Sequence, residues 1–521
     1  MTGPDAPLLF PDTHAATDPD RPAIVMAGSG ETIGYGKLVE TSRGIARLLW
    51  SRGLRHGDTA ALLMENSADF LQIAWAFQRI GLRYVALSTR LTPAEIAYIL
   101  GDSGASALVT SPTMLPQAVA AVEGLSGLPV RLVTGTEPGV AAADGGFESL
   151  GEAVRTAPEV EPVECEGADL LYSSGTTGRP KGVVAALPLP PLGTGPGFTT
   201  LFHQLWGVDR DTVYLSPAPL YHAAPLRVSM TVHRHGGTVV VMESFDATQA
   251  LRLIERHRIT FTQMVPTMMI RILKLPAAQR SGYDLSSLRT LVHAAAPCPA
   301  EVKRELIDWL GPIVREYYSA TENYLFTELD ANEWLAHPGS VGRPVAGTPR
   351  ILDDEGVELP VGTTGTIWSQ NGPAFEYLND PDKTAQAHNS VGWTTVGDLG
   401  YVDADGYLYL SDRRSDLVLS GGVNIYPQEA ENVLVGSPDV LDAAVFGIPH
   451  PELGQVVHAV VQLRPGLEPT AERAELLLEY CRENLSGYKC PRGIDFAEQL
   501  PRTPTGKLLK RLLREQYTPA H

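Results

Sequence analysis

The chain has 521 residues, of which 44% are apolar and 19% charged, and a formal net charge of −19. That length exceeds a single compact core and predicts roughly two to four domains. The acidic balance excludes a general nucleic-acid surface, which needs clustered Lys and Arg, but leaves room for a local cationic pocket that takes a small anion. Cys165, Cys298, Cys481 and Cys490 include no C-x-x-C pair. Neither a zinc site nor a disulfide framework is suggested, and reduced thiols are expected. The start, "MTGPDAPLLFPDTHAATDPDRP", has no basic n-region or apolar h-region. No uninterrupted apolar run approaches the roughly 18 residues of a membrane span. A soluble, cytoplasmic protein is the expectation.

Along the chain, a helical pattern over "YGKLVETSRGIARLLWSRG" leads into the apolar run "TAALLM", read as a buried strand. A helix over "DFLQIAWAFQRIG" precedes a second short apolar stretch, "RYVALS". Thr92 is placed to cap the next helix with Pro93 at its first position, and a strand follows. "GGTVVVM" and "RITFTQMV" read as later strands. Alternation of this kind implies a mostly parallel sheet covered by helices, an α/β class. Between Pro344 and Gln370, D-D-E-G and G-T-T-G turns separate short strands and suggest a small antiparallel or barrel-like unit. Beyond Asp412 the pattern becomes a separate α+β module with a basic tail. The expected division is a large domain over 1–411, a hinge at 412–416 and a small mobile domain over 417–521.

The stretch "YSSGTTGRPKGV", Tyr172 to Val183, carries the first chemical signal. Ser173, Ser174, Thr176 and Thr177 offer hydroxyls, Gly175 and Gly178 allow backbone amides to approach an anion, and Lys181 supplies a cation. A phosphate loop of the form G-x-x-x-x-G-K-[ST] would continue with a metal-binding hydroxyl, but Gly182 follows the lysine here. On composition alone an ordinary Ser/Thr/Gly loop is an equal reading.

Five further stretches follow in order: "PLYHAAP" (219–225), "AAAPCP" (294–299), "YYSATE" (317–322), "TVGDLGYVDADGYLYLSDR" (395–413) and "PRTPTGK" (501–507). With the loop above, this series resembles the motifs of the adenylate-forming superfamily of acyl-CoA synthetases, luciferases and nonribosomal adenylation domains. The resemblance runs from about Glu31 to Leu509, nearly the whole chain. It implies that the loop holds the β- and γ-phosphates of ATP, and that Glu322 coordinates Mg2+ while Thr321 contacts the α-phosphate. It places Tyr318 against adenine beside Ser319, with Ala295, Ala296 and Pro297 as the other wall. It gives Asp398 the ribose hydroxyls, which suits an acceptor-only carboxylate, and Arg413 the same ribose from the hinge. Lys507 would bridge the carboxylate and the α-phosphate during adenylation.

By the same resemblance His222 stands at the gate between the acyl pocket and a pantetheine tunnel, with Ala294 on one wall and Gly421 and Gly422 over the thioester step. Amino-acid-activating relatives keep an Asp beside the gate; Tyr221, Ala223 and Ala224 stand here, so an α-amino acid is not the expected substrate. A hydrophobic acid (fatty, aromatic or polycyclic) is expected, with ATP and CoA as co-substrates. Only a short segment follows Lys507, so no carrier domain is expected. Three features depart from the family pattern: Ser319 for Gly, Ser415 for the commoner hinge Lys or Asp, and the Pro-rich "AALPLPPLGTGPGF". The last two keep open an enzyme that makes only the adenylate and passes it to a separate partner; a homodimer and a non-catalytic nucleotide-binding scaffold are further alternatives. "DADG" (403–406) has the start of a calcium loop, but Arg414 occupies the twelfth position, so a hairpin turn is expected.

Overall fold

The computed structural model describes residues 8–135, 144–173, 180–184, 187, 189–413, 416–420, 423–450, 453–502 and 508–517. The chain divides into two compact units. One holds Met1–Met264, Leu275–Leu291 and Phe375–Thr384; the other holds Val265–Lys274, Val292–Ala374 and Ala385–His521.

In the first unit the alternating helices and strands build parallel sheet. Thr59–Leu63, Arg83–Leu87, Ala105–Thr110, Val130–Val133, Glu148–Ser149 and Ala168–Asp169 form six strands whose pairings are all parallel. Thr59–Leu63 lies inside this sheet and is buried along its whole length. A central parallel strand is covered on both faces, which is why "TAALL" reads as a continuous apolar run. The helix Ala68–Arg79 is buried at every position except Asp69, and its buried residues are apolar apart from Gln72, Gln78 and Arg79. Its one charge in the core, Arg79, is compensated by Glu164 at 2.9 Å, by Asp12, and by the Ser42 hydroxyl at 2.9 Å. Pro93–Asp102 begins at Thr92 as expected, and Glu95 completes a capping box.

A second group of strands in this unit, Pro22–Met26, Val213–Ser216, Thr238–Val241 and Phe261–Met264, is also parallel, with Thr32–Gly34 antiparallel at its edge. A third sheet is small and antiparallel: Leu171–Ser173, Lys181–Val184 and Glu376–Tyr377. It joins segments distant in sequence, and no periodicity announces it.

In the second unit, Val314–Ser319, Phe326–Leu329 and Arg343–Ala346 pair antiparallel. Thr348–Leu352, Gly365–Gln370, Asp398–Val402 and Leu408–Arg413 form the expected small antiparallel unit. The "DADG" stretch is its last hairpin turn: the Asp403 N–H donates to the Tyr407 carbonyl at 3.0 Å, and Gly406 takes φ +85°. After residue 416 comes a five-stranded sheet with the helices Pro427–Gly436 and Ala471–Asn484. Val418, Leu434, Val445, Val457, Leu477 and Ile494 share one core there. The basic tail becomes the helix Lys510–Tyr517, and it is more than a solvated face. Lys510 is buried against Glu431 at 2.9 Å, and Arg514 reaches Asp416 at 3.1 Å. Among the described residues no helix is long and apolar enough to cross a membrane.

Candidate active site

Within the first unit, Lys181 opens the strand Lys181–Val184, and its register partner is Ser173 at the end of Leu171–Ser173. The Ser/Thr/Gly stretch is therefore the connection of an antiparallel pair. Ser174, Gly175, Thr176, Thr177 and Gly178 lie outside the described residues. The missing hydroxyl after the lysine has a packing explanation. A Cβ at Gly182 would lie 3.1 Å from the Tyr172 ring and 3.2 Å from the Leu378 side chain. Tyr172 cannot move aside freely, because its hydroxyl donates to Asp102 at 2.7 Å. A serine or threonine at 182 would crowd this sheet.

His222 precedes the helix Ala223–Arg234, in extended conformation at φ −96°, ψ 154°. The loop before it is held by Asn66, a residue that sequence reasoning missed. The Asn66 amide donates to the carbonyls of Ala218 at 3.1 Å and Met242 at 2.7 Å, and its oxygen accepts from the Leu220 N–H at 2.7 Å. Burial, reinforced by the Arg90 charge, lowers the His222 pKa to about 3. Its ring is neutral at any working pH, and Nε2 is buried with no hydrogen-bond partner among the described residues. Tyr221 packs against it, ring centroids 4.6 Å apart.

Within the second unit, Tyr318 and Asp398 come together. The Tyr318 hydroxyl donates to Asp398 Oδ2 at 2.6 Å and lies 2.6 Å from the Tyr324 hydroxyl. A hydroxyl carries one proton, so Tyr324 is the donor in that second bond. Tyr318 and Asp398 are 9% and 6% exposed. Burial, then the Asp398 charge, keeps the Tyr318 phenol far above its usual pKa and neutral. Tyr324 had no signal in the sequence beyond its nearness to "YYSATE". Ser319 pairs with Phe326 in an ordinary strand and is absent from the positive-φ positions, so the backbone does not demand the glycine it replaces. Thr321 and Glu322 are half-buried in a turn closed by the Asn323 N–H on the Ala320 carbonyl at 3.0 Å.

The segment Ala294–Pro297 follows the strand Thr290–His293, with Ala294 buried, Ala296 half-buried and Ala295 and Pro297 exposed. Ala295 takes φ +75°, a left-handed conformation that costs an alanine about 1–2 kcal/mol. Beneath it lies a buried network that the motifs did not reveal. Lys303 Nζ is 2.5 Å from Glu316 Oε2, and His293 Nε2 is 3.6 Å from the same oxygen. It ties the helix after the alanines to the strand that carries Tyr318. Burial and then the Lys303 charge push the His293 pKa well down, so it is neutral.

Arg413 ends the strand Leu408–Arg413 and pairs in register with Asp398, which sets the two backbones side by side. Ser415, Gly421, Gly422 and Lys507 lie outside the described residues. The half-buried carboxylate of Glu322 has the donor chemistry that would suit Mg2+. That ion prefers hard oxygens, and takes one or two carboxylates together with substrate phosphates.

The comparisons with known proteins agree on one family. The AMP-binding enzyme family matches residues 11–375, and its C-terminal domain matches residues 429–507. The long-chain-fatty-acid–CoA ligase FadD13 of Mycobacterium tuberculosis is 31% identical over 510 residues, 97% of each chain. The o-succinylbenzoate CoA synthetase of Bacillus subtilis, solved with its acyl-adenylate intermediate, superposes with a TM-score of 0.80 at 28% identity over 99% of both chains. The amide bond synthetase McbA of Marinactinospora thermotolerans gives a TM-score of 0.81 at 28% identity, covering 98% of this chain and 99% of that one.

Proposed function

This chain belongs to the AMP-binding enzyme family, in the acyl-CoA synthetase branch of the adenylate-forming superfamily, and on that premise we propose that it joins a hydrophobic carboxylic acid to CoA through an acyl-AMP. In the first step the acid's carboxylate attacks the α-phosphorus of ATP, the bond to pyrophosphate breaks, and a mixed anhydride forms. In the second the CoA thiolate attacks the acyl carbon and AMP leaves. The observation that carries this reading is the 2.6 Å bond from Tyr318 to Asp398, which links two expected nucleotide motifs 80 residues apart. A ring fixed by that bond offers a face to adenine, and the carboxylate offers acceptors to ribose.

Two anions must meet at the α-phosphate, so positive charge is needed there. Lys507 would supply it from the protein, while Lys181 would serve the β- and γ-phosphates. Glu322 would hold Mg2+, which would neutralise the triphosphate and its departing pyrophosphate, while Thr321 would contact the α-phosphate. His222, neutral and next to small alanines, lets an uncharged acyl group pass without a counter-ion. In this proposal the acid is fatty, aromatic or polycyclic; the two ligases above are named for a long-chain fatty acid and for o-succinylbenzoate.

ATP–pyrophosphate exchange over a panel of such acids tests the first step. Exchange is expected with at least one hydrophobic acid and not with α-amino acids; background exchange throughout removes the reading. The acceptor is tested separately. AMP release should rise on adding CoA. An amide bond synthetase among the structural relatives gives substance to the second reading, an adenylate handed to another acceptor, which a CoA-independent rate would favour.

A further inference from the structure

Lys181 has a neighbour that none of the motif assignments uses. The strand Glu376–Tyr377 pairs with Lys181–Val184, Val183 opposite Tyr377, and the Leu378 N–H donates to the Gly182 carbonyl at 2.8 Å. This pairing carries Asp380 back to the lysine. Asp380 Oδ2 lies 3.4 Å from Lys181 Nζ, and the same ammonium stands 5.9 Å from the Tyr377 ring centre. Asp380 cannot drift. Its Oδ1 accepts from the Lys383 N–H at 2.9 Å at the start of the helix Pro381–Gln386, its carbonyl accepts from the Thr384 N–H at 3.0 Å, and its own N–H donates to the Tyr377 carbonyl at 3.2 Å. The Lys383 N–H, ahead of the Lys181 ammonium, holds its carboxyl below the usual range, so it stays ionised throughout the working pH range.

We infer that Asp380 is a positioning residue that holds the Lys181 ammonium in the empty enzyme and competes with the phosphate chain for it. This rests on the reading of Lys181 as a phosphate ligand. One oxygen of Asp380 is fixed by the helix and the other faces the lysine, so the carboxylate is a built-in substitute for a phosphate oxygen. When ATP binds, Lys181 must exchange or share that partner. When pyrophosphate leaves, Asp380 is there to take the ammonium back. A bare lysine would bind pyrophosphate more tightly and release it more slowly.

The probe is inorganic pyrophosphate, titrated calorimetrically into the full-length protein at about 0.3 M salt, where direct repulsion between exposed charges more than several ångströms apart is screened. Asp380→Asn removes the charge while an amide oxygen still caps the helix. It should tighten pyrophosphate binding about two- to fivefold, the scale of a partly exposed ion pair. Lys181→Met should weaken binding, and Asp380→Asn added to Lys181→Met should change it less than about 1.5-fold, since nothing is left to compete for. In turnover, Asp380→Asn should lower KM for ATP and sharpen pyrophosphate inhibition together, which a merely structural defect does not do. Unchanged or weaker pyrophosphate binding in Asp380→Asn, or an equal change in both backgrounds, overturns the inference and leaves the ligase reading intact. If Lys181→Met leaves pyrophosphate affinity unchanged, the phosphate-ligand reading fails and this inference falls with it.

Discussion

The residues proposed to recognise the nucleotide can be tested one at a time. On the proposed role, Asp398→Ala would remove charge-assisted bonds to the ribose hydroxyls, and roughly 2–4 kcal/mol of ATP affinity should be lost while the acid's apparent affinity changes little. Equal use of ATP and 2′,3′-dideoxy-ATP by the intact enzyme would contradict that role. Glu322→Gln keeps the shape of the turn and removes its charge. Adenylation should fall and the Mg2+ requirement rise; an unchanged Mg2+ titration sinks the assignment. His222 makes a prediction about stability. Its folded pKa of about 3 lies below the ordinary 6.5, so below pH 6.5 the unfolded chain binds a proton that the native chain refuses. The stability tied to this group is complete above about pH 6.5 and declines toward pH 3, at about 1.4 kcal/mol per pH unit. Chemical unfolding of His222→Gln from pH 7 to 4 should show a shallower decline by about that slope; parallel curves would place the imidazole in water. At this scale the sequence offered candidates where chemistry restricts residue type: an acceptor for ribose, an oxygen donor for Mg2+, a cation for phosphate, each still a proposal. It was silent about Asn66, Tyr324 and Asp380, whose roles arise only from what folding brings beside them.

Secondary structure followed local pattern where burial is uniform or periodic. "TAALLM", the helix from Tyr35 and the capped helix from Thr92 were legible because one strand is buried on both faces, one helix has a buried stripe, and one N-terminus has its hydroxyl and its proline. The sheet of Leu171–Ser173, Lys181–Val184 and Glu376–Tyr377 was not legible, since its strands are too short for periodicity and its third partner comes from far along the chain. The connection at Ala294–Pro297 shows a different limit. Three alanines look conformationally neutral in sequence, yet Ala295 sits at φ +75°. Ala295→Gly should relieve that strain, less the added entropy of an unfolded glycine, for a net gain of about 0.5–1 kcal/mol. The unfolding midpoint measures it, and a loss of stability would mean that the alanine methyl makes contacts worth more than its strain.

At the scale of the whole molecule, the proposed two steps ask one chain to serve two transition states, and Lys507 is where that demand is concentrated. The described residues on either side of 503–507 belong firmly to the C-terminal module. Arg502 makes two 2.6 Å bonds to the Asp442 carboxylate, the Leu509 N–H donates to the Pro501 carbonyl at 2.8 Å, and Lys510 is buried against Glu431. If the module turns about 412–416 between steps, Lys507 acts in only one of them. Lys507→Ala should then slow adenylation by about a hundred- to a thousandfold, the cost of losing one positioned donor from a developing charge. Synthetic acyl-AMP supplied with CoA bypasses that step, so thioester formation should stay within about threefold of the unmutated rate, because no contact in that transition state is lost. Both half-reactions are to be measured on one preparation. Equal damage to both would make Lys507 structural or the module stationary. Failure of the unmutated enzyme to convert acyl-AMP to thioester would remove CoA as the acceptor and leave the adenylate as the product that another molecule consumes.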